Sequence, residues 1–140
     1  MKTRLLALIV VAALFSNLSA FADEKADKAA ASESAKQWLA LVDAGNYAAS
    51  WDAASGLFKN HVSKEEWAKM VSAVRAPLGK VMSRKLKSAD YTTSVPGGPD
   101  GQYVVIQYET SFENKKSATE TVTPMLDKGG RWRVSGYFIK

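Results

Sequence analysis

Cysteine is absent from this 140-residue chain and histidine occurs once. The first absence excludes disulfide staples, thiolate metal sites, a cysteine nucleophile and a lipid-carrying N-terminal cysteine, and the second leaves no histidine-based metal cluster. Apolar runs are also scarce. The only long one lies at the N-terminus, and with a mean hydropathy of −0.18 nothing is left to span a membrane once that run is removed. Four prolines and nine glycines are ordinary numbers, and 46% hydrophobic with 24% charged residues is the composition of one globular domain.

Met1-Lys2-Thr3-Arg4 places two positive charges ahead of eleven apolar positions, Leu5 to Phe15. That run is too short to cross a bilayer. Ala20 and Ala22 then bracket Phe21 in the small-residue pattern of a secretory cleavage site, and charges resume at Asp23-Glu24-Lys25. Residues 1–22 therefore read as a signal peptide cut after Ala22, and the mature chain as a single domain, 23–140, in the periplasm or secreted. Removing Lys2 and Arg4 leaves 17 basic against 14 acidic residues, a net charge of +3. A mature chain of this length buries roughly 65% of its unfolded surface, so it can hold a core without disulfides.

Residues 23–34, rich in alanine, lysine and acidic side chains, suit either a flexible lead-in or a solvated helix start. A packing face begins with Ala35, Trp38, Leu39 and Val42, spaced i, i+3, i+4, i+7, and Gly45 is the expected stop of helix one near Ala44. Asn46 is placed to cap a second, short helix with Tyr47 and Trp51 on one face. Leu57 and Phe58 are expected to anchor the loop that follows. Ser63-Lys64-Glu65-Glu66 is a capping box for helix three, whose stripe is Trp67, Met70, Val71 and Val74 and whose end is set by Pro77 and Gly79.

From Lys80 the period changes from 3.6 to 2. Breaks at Pro96-Gly97-Gly98-Pro99-Asp100-Gly101, Asn114-Lys115 and Asp127-Lys128-Gly129-Gly130 predict four antiparallel strands, near 80–95 (interrupted at Ser88-Ala89-Asp90), 102–113, 116–126 and 131–139. The fold class is α+β, with three N-terminal helices packed on one face of a curved four-stranded antiparallel sheet. Alternation turns Val104, Ile106, Tyr108, Thr110 and Phe112 inward. In strand four it turns Trp132, Val134, Gly136 and Phe138 inward and sends Tyr137 and Ile139 to the far face, which a partner subunit would then cover.

Several short words occur in fixed order: Tyr47-Ala48-Ala49-Ser50-Trp51-Asp52, Ser63-Lys64-Glu65-Glu66-Trp67, Gly79 followed by Arg84, Glu120-Thr121-Val122-Thr123, and Gly130-Arg131-Trp132-Arg133-Val134-Ser135-Gly136-Tyr137. In these the chain resembles domain-of-unknown-function family 4019, small exported bacterial proteins, over nearly all of the mature chain. The resemblance implies no activity. The element order is also similar to the cone-shaped nuclear-transport-factor-2-like or cystatin-like fold, which implies a scaffold shared by binding modules, dimerisation domains, dehydratases and isomerases.

Catalytic motifs are wanting. There is no G-x-S-x-G word, the glycines at 97, 98 and 101 precede a strand where a phosphate loop needs a helix, and Glu65-Glu66 is explained by capping. His61 reads as a loop residue whose only suggested carboxylate neighbour is Asp52. Lys80, Arg84, Lys85 and Lys87 form the densest basic patch, but Lys85 and Lys87 lie on a solvated strand face and the mature charge is low, so no nucleic-acid partner is expected. Two charges break the pattern: Arg84 falls between Met82 and Leu86, and Glu120 between Ala118 and Val122, both on apolar faces. They are expected either to pair or to hold an anionic ligand, unless a bulge near Ser88 turns Arg84 to the surface.

The candidate ligand-binding residues are Arg84, Glu120, Tyr108, Trp51 and Tyr47; no catalytic residue, metal or cofactor is assigned. The function read from the sequence is a non-enzymatic periplasmic module that binds a small ligand or assembles, with a homodimer through the outer sheet face as one form. The alternatives are a small dehydratase or isomerase using Tyr47, Asp52, His61, Arg84 and Glu120, or a structural envelope protein without a ligand.

Overall fold

The computed structural model describes the backbone of residues 7–140 and the side chains of residues 20–140. Almost all of the expected signal peptide lies outside the residues whose side chains are described. The elements run α1 (Ala7–Asp43), α2 (Tyr47–Ala53), α3 (Gly56–His61), α4 (Lys64–Leu78), β1 (Val81–Thr92), β2 (Tyr103–Phe112), β3 (Lys115–Asp127) and β4 (Arg131–Ile139). The strands form one antiparallel sheet in the order β1-β2-β3-β4, so β1 and β4 are its edges. Among the described residues no helix is long and apolar enough to cross a membrane.

Four helices are described where three were expected. Ser55 is the reason: its hydroxyl accepts a hydrogen bond from the Phe58 N–H and so starts a separate helix over Gly56–His61. Phe58, expected in a loop, is thereby buried in the core. Asn46 stands at the N-cap of α2, but its side chain makes no capping bond. The capping box of α4 is present in both halves, with Ser63 Oγ accepting from the Glu66 N–H and Glu66 Oε2 accepting from the Ser63 N–H.

One core joins the helices to the sheet. From α1 it takes Ala31, Ala35, Trp38, Leu39 and Val42, from α4 Trp67 and Val71, and from the strands Val104, Ile106, Tyr108, Val122 and Val134. Trp38 is its centre, with ring centroids 5.9 Å from Trp67 and 5.2 Å from Tyr137. Ser50 resolves the polar atoms of both indoles: its carbonyl accepts from Trp38 Nε1 and its hydroxyl from Trp67 Nε1, each at 2.9 Å. A fully buried serine thus ties α1, α2 and α4 together.

The inner face of β2 is as the alternation requires, with Val104, Ile106, Tyr108, Thr110 and Phe112 all buried. Strand β4 is different. Thr123 faces Gly136 while Pro124 faces Val134, so Ser135 is an extra residue in β4. Such a bulge exchanges the two faces beyond it. Trp132 and Val134 face inward before it, Tyr137 and Ile139 after it opposite Val122 and Glu120, and Phe138 is turned out to solvent. The far-face position expected for Tyr137 and Ile139 is corrected accordingly.

A bulge also occurs in β1, where Leu86 faces Tyr108 and Ser88 faces Gln107, making Lys87 the extra residue. It lies beyond Arg84, which keeps its inward register opposite Thr110. The stripe expected on α4 is narrower than predicted. Trp67, Val71 and Arg75 are buried, whereas Met70 and Val74 are exposed. Gly79 ends that helix with φ 75°, and a Cβ there would lie 2.9 Å from the Cβ of Glu113. Both the left-handed backbone and the close approach of the β2–β3 turn require glycine at this position.

Candidate functional site

Arg84 and Glu120 meet across β2. Glu120 is fully buried on β3, and the guanidinium reaches it with Nε donating to Oε1 at 2.8 Å and Nη2 to Oε2 at 3.2 Å. Thr110, on the intervening strand, donates its hydroxyl to Oε1, and Tyr137 donates its hydroxyl to Oε2. Each of the other three strands therefore contributes one donor side chain to this carboxylate, which satisfies the condition under which a buried charge is tolerated.

The other side of the guanidinium faces the end of α1. Arg84 Nη1 donates to Asp43 Oδ2 at 2.8 Å and Nη2 to Oδ1 at 3.0 Å, a bidentate pair, while Arg75 of α4 donates to the same Oδ1 at 2.8 Å. Arg75 itself is buried over the ring of Phe112, 5.1 Å from its centroid. Its Nε and Nη1 have no hydrogen-bond partner, and the Phe112 ring gives the guanidinium a cation–π contact. The result is a chain of charges, Arg75–Asp43–Arg84–Glu120, that fastens α1 and α4 to β1 and β3.

Burial opposes ionisation of Asp43, but the hydrogen bonds and charge of Arg84, and then those of Arg75, outweigh it and hold the pKa below the usual aspartate value. Burial, with the charge of Glu120 and the hydrogen bond to it, pushes the Tyr137 phenol far above its usual value, so it remains a donor. Because the Asp43 pKa is depressed in the folded protein, its contribution to stability is present above the unfolded value of about 4 and is lost as pH falls through the folded one. Denaturant midpoints measured between about pH 6 and pH 2 are expected to fall steeply below about pH 4. Asp43→Asn should lower the midpoint at pH 6 and flatten that slope, and an unchanged slope would show that Asp43 is not held by the arginines.

Of the five candidate residues, the structure brings Arg84, Glu120 and Tyr108 together, the last standing opposite Glu120 with its hydroxyl buried and unpaired. Tyr47 lines a shallow groove of about 430 Å³ with Asp43 and Arg75 on the outer side of the charge chain. Trp51 is elsewhere: its indole donates to the Val62 carbonyl, and Lys59 and Lys64 each stand 5.3 Å from its ring. His61 is exposed at the end of α3, and Asp52 pairs with Lys64 at 2.8 Å. Asp43, Arg75 and Tyr137 were missed from sequence. Two of them carried a signal: an aspartate in the last turn of a helix opposes the helix dipole, and Arg75 continues Trp67 and Val71 at i+4 spacing on the buried face of α4.

A family model described as "Protein of unknown function (DUF4019)" matches residues 34–137. The chain belongs to this family. The match contains all the residues of the charge chain. No curated protein matches the chain.

Proposed function

We infer that this DUF4019 protein is an exported, non-enzymatic assembly module. The observation that carries this reading is that the buried ion pair of the inner face is already fully partnered. The groups best suited to hold an anion or move a proton, Arg84 and Glu120, are already satisfied by each other and by Asp43, Thr110 and Tyr137. An arginine held by two carboxylates offers an incoming acid little gain, since binding would have to break charge-assisted bonds of equal quality. Apolar surface is instead displayed outside the core: Met70 and Val74 on α4 and Phe138 on β4 border a groove of about 190 Å³ that Trp67, Val71, Tyr137 and Ile139 complete. Exposed apolar residues that cluster in this way mark interaction surfaces.

Export rests on the cationic start, the apolar run and the Ala20-Phe21-Ala22 site. One measurement addresses both parts of the reading. Native mass spectrometry of the protein recovered from a periplasmic fraction is expected to give a chain beginning at Asp23 and masses that are whole multiples of that chain or of its complex with another protein. A chain still beginning at Met1 would contradict export. A stoichiometric small molecule, lost from an Arg84→Ala variant that still folds, would contradict the assembly reading and make Arg84 a ligand anchor.

A further inference from the structure

The geometry points to a symmetric dimer of this protein formed through the open edge of β4, centred on Phe138. This deepens the assembly reading and rests on it.

The edge of β4 is closed over one half and open over the other. In the first half the Trp132 carbonyl accepts from the Ser34 hydroxyl and the Val134 carbonyl from the Ser55 N–H. Beyond the Ser135 bulge nothing comparable occurs among the described residues. Thr119 and Lys140 exchange both backbone hydrogen bonds at 2.9 Å, and an antiparallel ladder alternates, so Phe138 and Gly136 also turn their N–H and C=O groups towards β3. Tyr137 and Ile139 therefore point theirs to the open edge. Two donors and two acceptors are left for an added strand.

This short stretch is complementary to itself. An antiparallel second copy laid along it, with Phe138 opposite Phe138 of the second copy, pairs Tyr137 with Ile139 and Ile139 with Tyr137 and makes four backbone hydrogen bonds. Phe138, 52% exposed on the outer face, then meets its own copy as a close cross-strand aromatic pair. On the inner face the added strand runs along the groove beside Met70 and Val74, which are 57% and 50% exposed. The overlap ends at Gly136, before the half of the edge that Ser34 and Ser55 close.

Charge selects this edge over the other. Residues 134–139 carry no ionisable side chain except the Tyr137 phenol, which is turned inward to Glu120, so the register sets no like charges against each other. Edge β1 presents exposed Lys85 and Lys87 and has extra residues at Met82 and Lys87, the features that keep strand edges from pairing.

Sedimentation equilibrium of protein expressed from its full coding sequence, over about 1 µM to 1 mM, is expected to show a monomer–dimer equilibrium. Phe138→Lys and Phe138→Glu replace a solvent-facing side chain, so at about 1 µM, where the wild type is monomeric, both should keep its circular dichroism and unfolding midpoint, while each weakens the dimer at least tenfold. Mixed in equal amounts, the two variants should recover a heterodimer, because residue 138 faces itself across the axis. A wild-type chain that stays monomeric at 1 mM, a dimer that Phe138→Lys leaves intact, or a mixture that stays monomeric would each overturn the proposal. A monomer that still purifies without a small molecule would leave the assembly reading standing with a different protein as partner.

Discussion

Glu120→Ala is expected to destabilise the fold by about 3–5 kcal/mol, and Arg84→Ala by a similar amount. The first removes the acceptor for Arg84, Thr110 and Tyr137 together, leaving a guanidinium and two hydroxyls to find other partners in a closed space. The second leaves a fully buried carboxylate with two neutral donors in place of a cation. The double variant removes both charges and should cost clearly less than the sum, so a double-mutant cycle is expected to give a coupling of about 1–3 kcal/mol. Asp43 retains Arg75 in every arm of the cycle, so no arm leaves it without a cation. Chemical denaturation of the four proteins checks this, and additive losses below about 1 kcal/mol would mean that the two side chains do not support each other.

The second large effect is at Phe112. Its ring is buried at the end of β2 and lies beneath the Arg75 guanidinium, so Phe112→Ala removes a packed aromatic and the face that covers an arginine with two unpaired nitrogens. A loss of about 3–5 kcal/mol is expected, whereas Glu113→Ala, exposed one residue later, should stay within about 0.5 kcal/mol. Glu113 keeps its Cβ and its backbone bond to the Lys80 carbonyl in that variant, which makes it a fair control. Comparable denaturant midpoints for the two would reverse the assigned faces of β2.

These two experiments probe parts of the molecule that were legible to different degrees. The faces of β2 follow from alternation alone, because a regular strand has no other way to bury Val104, Ile106 and Phe112 together. The ends of α1 and α4 were equally plain, since Gly45 and Gly79 both take positive φ. The anomaly of Arg84 and Glu120 was visible as two charges on apolar faces, and the structure joins them. What the sequence concealed depends on single inserted residues and on long side chains. Ser135 adds one residue to β4, and nothing in Val134-Ser135-Gly136 distinguishes a bulge from a regular strand, yet that residue carries Tyr137 to Glu120 and Phe138 to solvent. Arg75 was hidden because an arginine in the last turn of a helix is ordinarily a solvated cation stabilised by the dipole. Only the third dimension shows that Phe112 and Asp43 wait beneath it. Ser55 was hidden for a related reason, since Ser-Gly is as common in a turn as at a helix start.

On the proposed reading, the charges of the inner face are locked to one another and are not held ready for a ligand. Nitrogen-resolved NMR of the arginine side chains can decide this, because a guanidinium fixed by two carboxylates has slowed rotation and protected protons. For Arg84 an Nε–H resonance displaced from the bulk arginine signal is expected, exchanging slowly with water at neutral pH and shifting towards the bulk position in Glu120→Ala, which removes its partner. An Arg84 Nε–H that exchanges as fast as that of a solvated arginine, in protein free of any small molecule, would contradict it.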